Sequence, residues 1–351
     1  MSANLEATVQ AALAGVTDPH LGQDLITLGM VEATELSGST VAVRLRLVTP
    51  QSPGRDELER SIRDALLAVP GVESVEVGFS YAVRGDEQEL LPGVRNIIAV
   101  GSGKGGVGKS TVAANLAAAL KLEGASVGML DADIYGPSQA RMFSVEGKRL
   151  MADEEKNIIP LRNHGVKIIS IANLVEDGQA LTWRGPILHG TLTQMLQQTV
   201  WGDLDYLVID LPPGTGDVQL SLSQLVNVTG AVLVTTPQDV ALMDVRRAYT
   251  MLRKIHTPAL GIVENMSYYQ LPDGSRDHIF GEGGAKAFAE KEGVPLLGEI
   301  PITRQLRESG DAGTPLVIAE PGNPSAQALR RVARAVANRA SQQSQMSLPV
   351  L

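Results

Sequence analysis

The feature that most restricts the fold of this chain is a glycine-rich loop with the pattern G-x-x-x-x-G-K-[ST] at residues 103–110. A short apolar run at 97–100 precedes the loop, and a stretch with helical spacing follows it. Between a strand and a helix, such glycines let successive backbone N–H groups turn towards phosphate oxygens. The pattern therefore predicts a nucleotide-binding α/β domain, and a glycine turn that binds nothing is the alternative.

Every residue of this loop is a candidate ligand of the nucleotide. These candidates are Gly103, Lys104, Gly105, Gly106, Val107, Gly108, Lys109 and Ser110. We expect Lys109 to place its charge at the β and γ phosphates, and the Ser110 hydroxyl to ligate Mg²⁺. Lys104 is a second lysine that an ordinary loop does not require, which suggests a charge directed across a dimer interface at the partner's nucleotide. Lys104 and Lys109 are therefore also candidate catalytic residues.

Three aspartates follow apolar runs at positions where a doubly wound fold places its chemistry, the C-terminal ends of parallel strands. Asp210 ends one run, and Asp131 and Asp133 end another. We expect Asp131 and Asp210 to join Ser110 around Mg²⁺, the carboxylates acting through water. Asp133 is the candidate that orients the attacking water. A helix or turn cap is the alternative for each aspartate.

Composition narrows the class of protein. The 39 acidic and 30 basic residues give a net charge of −9, which disfavours non-specific binding to nucleic acid or anionic lipid. No run approaches the ~18 apolar residues of a membrane span, and no secretory signal is recognisable, so we expect a cytoplasmic protein with neither membrane nor nucleic-acid partner. The chain contains no cysteine, which excludes disulfides, thiolate nucleophiles and cysteine-ligated metal centres within this polypeptide.

The hydrophobic pattern predicts two domains of unequal size. Residues 1–83 read as a small α/β domain, and the polar stretch 84–95 as a linker. Strand and helix patterns alternate over 96–340, which predicts a P-loop NTPase domain with a mostly parallel sheet flanked by helices. Residues 341–351 are expected to be a disordered tail.

Five motifs in order resemble the Mrp/ApbC family of deviant Walker A ATPases, which are MinD/ParA-like P-loop proteins. The resemblance covers residues 96–339. Its motifs lie at 103–110 with the extra Lys104, 131–138, 210–217, 236–238 and 265–268. The N-terminal module resembles the small MIP-type iron–sulfur assembly domain often fused ahead of this ATPase. That likeness rests on Asp18-Pro19, Asp24 and Leu28-Gly29-Met30.

The resemblance implies a cytosolic iron–sulfur cluster carrier that binds and hydrolyses ATP with Mg²⁺. It further implies a nucleotide-sandwich homodimer in which Lys104 contacts the partner's phosphates and Asn265 lies at the adenine. The expected partners are client apoproteins or other iron–sulfur assembly factors. From the residues alone, an asparagine at a strand end is more typical of a turn.

The chain departs from this family where cluster carriers usually place a C-x-x-C pair, just after the 265–268 motif. Leu271 and Asp273 stand about where the thiolates would be. Asp273, Asp277 and His278 are possible ligands of a harder metal, but the surrounding Pro-Asp-Gly sequence favours a surface turn. We therefore expect no stable iron–sulfur cluster on this chain alone.

Two other functions remain open from the sequence. A MinD/ParA-like positioning ATPase acting on membrane normally needs a basic amphipathic C-terminal helix, whereas 341–351 has no basic residue and contains proline. A version acting on DNA would depend on a cluster of cations, Arg246, Arg247, Arg253 and Lys254. The same cluster is otherwise expected to be a solvated helix face or a docking surface for an acidic partner. The second of these two alternatives is a non-enzymatic scaffold in which the bound nucleotide has only a structural role.

Overall fold

A computed structural model describes residues 2–19, 22–47, 54–83, 85, 90–174 and 185–346. The chain divides between Arg84 and Gly85 into two units, each with its own hydrophobic core. In the described part of the chain, no helix is both long enough and apolar enough to cross a bilayer.

The first unit packs two helices against a three-stranded sheet. In chain order its elements are α1 (Ser2–Ala14), β1 (Val31–Ser37), β2 (Thr40–Leu47), α2 (Arg55–Leu67) and β3 (Ser74–Tyr81). The strand order is β1-β2-β3, with β1 antiparallel and β3 parallel to β2. Strand β2 buries every second residue, and α2 buries Leu58, Ile62 and Leu66, as their sequence periods predict.

The second unit contains a mixed sheet with helices around it. Its strands are β4 (Val94–Ser102), β5 (Val127–Asp131), β6 (Met151–Ala152), β7 (Ile158–Ile159), β8 (Leu161–Asn163), β9 (Val166–Ser170), β10 (Leu204–Asp210), β11 (Gly230–Thr235), β12 (Ala259–Gln270), β13 (Arg276–Asp277) and β14 (Leu296–Ile302). Its helices are α3 (Lys109–Leu122), α4 (Gln139–Met142), α5 (Gly185–Gln197), α6 (Asp217–Leu225), α7 (Asp239–Lys254), α8 (Gly284–Glu292), α9 (Arg304–Asp311), α10 (Leu316–Ala319) and α11 (Pro324–Met346).

The main sheet of this unit has the order β13-β12-β11-β4-β10-β5-β9-β8, and β14 also pairs with β12. Only β8 and β13 run antiparallel to their neighbours, so the sheet is mostly parallel, as predicted. All seven residues of β10 are buried, which is typical of a parallel strand covered on both faces. The loop after β4 therefore leaves the centre of the sheet, between β10 and β11, where doubly wound folds bind ligands.

Two predicted boundaries differ from the structure. The predicted linker 84–95 ends too late, because Leu91 is buried in the large core and β4 already begins at Val94. The predicted disordered tail begins too early, because α11 continues to Met346 and Ser341 is buried on it. Residues 347–351 lie outside the described part of the chain. In both cases, single apolar or small residues that pack on the core outweigh the polar composition around them.

Candidate nucleotide-binding site

Two glycines of the loop are required by close neighbours. A Cβ at Gly103 would lie 2.2 Å from the backbone carbon of Asp244, on α7. A Cβ at Gly108 would lie 2.2 Å from Nδ2 of Asn265, and Gly108 also has a positive φ of 80° as the residue before α3. Any larger residue at either position would push the loop away from α7 or β12, so the turn keeps its shape only with glycine.

Lys109 lies at the centre of the predicted site, in the first turn of α3, and only 6% of its side chain is exposed. Its Nζ donates to Oδ1 of Asp210 at 2.5 Å and to Oγ of Ser110 at 3.1 Å. Oδ2 of Asp133 lies 3.4 Å from the same nitrogen. The structure thus brings together four of the candidate residues, Lys109, Ser110, Asp133 and Asp210.

Asp131 is fully buried beside this group, because β5 and β10 pair with Asp131 opposite Asp210. Its Oδ2 accepts hydrogen bonds from the backbone N–H groups of Ser138 and Gln139 and from Oγ of Ser170, at 2.9–3.0 Å. Burial, and secondly the Asp210 carboxylate, raises the pKa of Asp131 to about 7. Asp131 therefore fastens both ends of the loop that carries Asp133, and this bonding favours a positioning role over direct contact with a metal.

Gln139, which the sequence analysis did not single out, connects the phosphate loop with the β10 carboxylate. It is fully buried, and its Nε2 donates to Oδ2 of Asp210 at 2.8 Å and to the backbone oxygen of Ser110 at 3.0 Å. Its Oε1 is buried without a partner in the described part of the chain. No sequence pattern marked this residue, because a glutamine beginning a short helix is usually exposed.

The turn that follows β10 is held by a second glutamine that sequence reasoning missed. Nε2 of Gln219, on α6, donates to the backbone oxygens of Pro212 and Gly214, each at 3.1 Å. The N–H of Gly214 donates to the backbone oxygen of Ser102 at 2.9 Å, so the turn rests directly on the start of the phosphate loop. One backbone hydrogen bond thus joins the turn after β10 to the residue that precedes the phosphate loop.

Asn265 lies at the other side of the phosphate loop. It is buried, and its Nδ2 donates to the backbone oxygen of Val107 at 2.8 Å, which leaves Oδ1 buried without a partner among the described residues. The neighbouring Glu264 accepts from Oγ of Ser267 and from the first turn of α8 at the N–H of Ala285, both at 2.8 Å. This bonding fixes the end of β12 and keeps the Asn265 amide at the loop.

A cavity of about 720 Å³ opens beside Gly108 and Asn265. Its wall is mainly apolar, and a cavity of this volume suits a small organic ligand. The lining residues are Gly108, Thr111, Ser138, Arg141, Met142, Asn265, Met266, Ile279, Phe280, Pro301, Ile302, Thr303, Leu306, Arg307, Gly310 and Asp311. The phosphate loop and an apolar cavity are thus adjacent, which matches the phosphate and base portions of a nucleotide.

The donors around Lys109 fit Mg²⁺. The Ser110 hydroxyl and the Asp210 carboxylate both lie within hydrogen-bond distance of one atom, Nζ of Lys109, and both are hard oxygen donors. Lys104 stands apart from them: it is half-buried, and in the described part of the chain its ammonium group makes no ion pair.

The β12–β13 hairpin, residues 269–277, does not fit an iron–sulfur cluster. Oδ1 of Asp273 accepts from both the N–H and the hydroxyl of Ser275, and these bonds lower the pKa of Asp273. Nε2 of His278 lies 3.6 Å from Oε1 of Glu282. Among the described residues, no group of three or more histidine or carboxylate side chains is placed to hold a metal ion. The predicted surface turn thus matches the bonding of this hairpin.

Two family models match the chain. A model described as NUBPL iron-transfer P-loop NTPase matches residues 93–337, and a model described as iron-sulfur cluster assembly protein matches residues 6–77. The two matches fall in the two structural units in the order that the sequence motifs predicted.

Known proteins and solved structures agree with the models. The chain is 53% identical to the iron-sulfur cluster carrier protein of Deinococcus radiodurans over 96% of both chains, and 44% identical to that of Escherichia coli K12 over 95% of this chain and 92% of the relative. A nucleotide-binding protein of Archaeoglobus fulgidus, solved with ADP, is 40% identical, with a TM-score of 0.58 over 66% of this chain and 90% of that one. The cell division ATPase MinD of Pyrococcus furiosus is 26% identical, with a TM-score of 0.52 over 69% and 98%. The chain therefore belongs to the family of iron–sulfur cluster carrier proteins of the Mrp/ApbC/NUBPL type, which are built on a P-loop NTPase domain.

Proposed function

We propose that this protein is a cytoplasmic, Mg²⁺-dependent ATPase that works as a nucleotide-switched homodimer in iron–sulfur delivery and holds no cluster on its own side chains. The observation that carries the proposal is the convergence of Ser110, Asp133 and Asp210 on the buried ammonium group of Lys109, next to a cavity of nucleoside size. Such an arrangement serves phosphoryl transfer, because that reaction depends mainly on positioned charge.

Each residue then has a defined task. Ser110 and, through water, Asp210 would hold Mg²⁺, with Asp131 behind them, and the metal would supply positive charge for the phosphates. Lys109 sets a positive charge between these ligands and the phosphates. Asp133 is held near Lys109 on a loop fastened by Asp131, and it accepts a hydrogen bond from the attacking water.

The base-binding side depends on Asn265. Because its Nδ2 is committed to the backbone oxygen of Val107, the Oδ1 atom is left to accept a hydrogen bond from the exocyclic amino group of adenine. Guanine presents a carbonyl oxygen at that ring position, which Oδ1 cannot bind. This difference supports ATP rather than GTP as the nucleotide.

The homodimer is supported by Lys104. Its half-buried ammonium group at the edge of the loop has no carboxylate partner in the described part of the chain, so it is available to phosphates bound by a second copy. A cation that reaches the transferring phosphoryl group only across the interface would make hydrolysis depend on dimerisation.

Measuring turnover and oligomeric state together tests this function. We expect the full chain to release phosphate from ATP only with Mg²⁺, and light scattering to show a dimer with Mg²⁺ and ATP that separates after hydrolysis. EDTA and GTP are the controls that should remove or reduce both signals. A monomer that hydrolyses ATP at the same rate per subunit at every protein concentration would overturn the switched homodimer.

The cargo requires a separate test, because thiolates are the usual ligands of iron–sulfur clusters and this chain has none. After anaerobic reconstitution with iron and sulfide and subsequent desalting, we expect neither iron nor acid-labile sulfide at stoichiometric amounts per dimer. If stoichiometric iron and sulfide remained, ligands such as His278 or a bound small thiol would have to hold the cluster. The ATPase assay on the same sample distinguishes this result from a misfolded preparation.

A further inference from the structure

Helix α7 carries a continuous exposed stripe that the nucleotide site does not use. Met243, Arg247, Thr250 and Lys254 recur at intervals of four, three and four residues, so they lie on one face of the helix. The opposite face is buried against the core through Ala241, Val245, Ala248 and Leu252. The residues of the stripe are therefore not needed to fold the helix.

The stripe lines a groove of about 680 Å³, to which Arg246, Met251 and Thr215 also contribute. We call this the α7 groove. Thr215 directly follows Gly214, whose N–H bonds to the start of the phosphate loop, and Gly103 of that loop packs against the backbone of Asp244 in α7. The groove thus adjoins the turn after β10 and the phosphate loop of the proposed nucleotide site.

The charge of this helix is unbalanced. From residue 246 to residue 254, α7 contains four cations and no carboxylate, in a chain whose net charge is −9. Arg247 meets Asp244 at 3.1 Å and Arg246 lies 3.8 Å from Glu292, while neither Arg253 nor Lys254 makes an ion pair with a described residue. The helix dipole accounts for cations in the last turn but not for Arg246 and Arg247 in the middle of the helix.

Apolar side chains accompany this positive charge. The side chain of Met243 is 62% exposed, and Val240, one turn earlier, is 64% exposed. Methionine is flexible and adapts to varied apolar partners. A ligand that satisfies both features must present negative charge and apolar side chains over the roughly 17 Å from residue 243 to residue 254. An acidic protein segment does so, whereas the outer surface of a nucleic acid offers phosphates without apolar side chains.

We propose that the α7 groove is a docking site for an acidic segment of a partner protein, in which carboxylates meet Arg246, Arg247 and Lys254 and an apolar side chain lies between Met243 and Met251. Electrostatic complementarity of this kind selects the partner and speeds its encounter. A partner bound there touches Thr215 and is therefore next to the turn that is hydrogen-bonded to the end of β4.

Fluorescence anisotropy with the full chain tests the groove. The probe is a short labelled peptide that alternates glutamate with leucine, and the comparison peptides replace glutamate by lysine or leucine by serine. We expect the glutamate–leucine peptide to bind at least about tenfold more tightly than either of them, because each lacks one half of the recognition. Combining Arg247→Glu with Lys254→Glu should weaken its binding about tenfold or more.

Arg331→Glu is the matched control, since Arg331 is an exposed cation on another helix, α11. This variant should bind the peptide as the wild type does. The control and the double variant should both keep wild-type ATP turnover, which would show that they fold. An equal loss of binding in the control would overturn the proposal. Displacement of the peptide by a short DNA duplex at equal concentration would also overturn it, because the groove would then bind nucleic acid. Loss of self-association in the double variant would do the same, because the groove would then bind a second copy of the chain.

Discussion

The phosphate loop and the β12–β13 hairpin lie in the same structural unit, yet their charged residues are used in opposite ways. Around the loop, Lys109, Asp131 and Asp210 are buried and contact one another or their immediate neighbours. In the hairpin, Asp273 and Asp277 are exposed, and among the described residues Asp273 bonds within its own turn, to Ser275.

The difference indicates which of the family's two activities, nucleotide binding or cluster ligation, this chain has residues for. Burying several ionisable groups together costs free energy that folding alone does not recover, so a persistent cluster of this kind indicates a ligand. The hairpin has no such cost, because its acids remain in water and only shape the turn. This polypeptide thus buries the charged groups of the proposed nucleotide site together, but it contains no thiolate for a cluster.

The most severe loss is expected from Lys109→Ala. Among the described residues, no cation other than Lys109 pairs with Asp210, so ATP turnover should fall at least ~10³-fold. Steady-state phosphate release measures the effect, and Lys148→Ala, which removes an exposed lysine, is the control that should leave turnover unchanged. Near wild-type turnover with saturating Mg²⁺ and ATP would show that the site is not catalytic.

Asp133→Asn should separate binding from hydrolysis. The amide keeps the shape of the side chain but accepts a proton poorly, so single-turnover hydrolysis should slow roughly 10²-fold while ATP remains bound. Light scattering should then show a dimer that persists with ATP. If turnover did not change, the water-orienting role would pass to Asp131 or to Asp217, the acid that begins α6 at the end of the 210–217 motif.

Lys104→Ala is expected to act more mildly. If its charge reaches the phosphoryl group across the dimer, kcat should fall roughly tenfold or more, while the affinity of the monomer for ATP changes little. Equilibrium binding of a fluorescent ATP analogue and phosphate release, measured on the same preparation, distinguish the two effects. Equal losses in both would place Lys104 in its own loop rather than in the partner's site.

From the sequence alone, we predicted which charged residues would meet around the phosphate loop. The loop pattern identified Lys109 and Ser110 because phosphate binding restricts residue type at fixed spacing, and strand ends identified Asp131, Asp133 and Asp210 because parallel strands end at one edge of the sheet. The same reasoning predicted the alternating elements around them and the turn after β12.

The sequence could not reveal the residues that hold these groups in place. The side-chain amide of Gln139 donates hydrogen bonds to Ser110 and Asp210, which are far from it in the chain. That of Gln219 donates to two backbone oxygens of the preceding turn, and no local period signals either set of contacts. The two boundaries at Val94 and Met346 were misplaced for a related reason, since burial of a few residues there depends on tertiary packing rather than on local composition. The bonding of Asp131 to the Asp133 loop likewise required coordinates.

A pH series tests how strongly the buried carboxylates are coupled. The pKa of Asp131 is raised from 3.8 to about 7 by burial and by Asp210, so the folded state retains a proton that the unfolded state loses. The retained proton stabilises the folded state fully below about pH 4, and this contribution is lost as pH rises to about 7. The free energy of unfolding therefore falls by no more than about 1.4 kcal/mol per pH unit in this range. Asp131→Asn should remove this slope.

The measurement is urea unfolding of the nucleotide-free protein, followed by tryptophan fluorescence, which reports on the second unit because Trp183 and Trp201 both belong to it. The difference in unfolding free energy between wild type and Asp131→Asn should change steadily between about pH 5 and pH 7 and level off above that range. A difference that does not change with pH would mean that Asp131 is ionised in the folded protein over the whole range. The carboxylates of Asp131 and Asp210 would then be less strongly coupled than the comparison of the two regions requires.

The smallest effect is expected in the hairpin. Asp273→Ala removes the two bonds to Ser275 in an exposed turn, and because surface substitutions rarely alter a distant site, ATP turnover should change by less than about twofold. Asp277→Ala, a second exposed acid of the same hairpin, is the matched variant and should behave alike. Phosphate release and the amount of iron retained after reconstitution are measured on both. A large fall in turnover for Asp273→Ala alone would show that the hairpin contributes to the nucleotide site. Loss of bound iron in that variant would show that the Asp273 carboxylate holds metal. Either result would remove the contrast between the two regions.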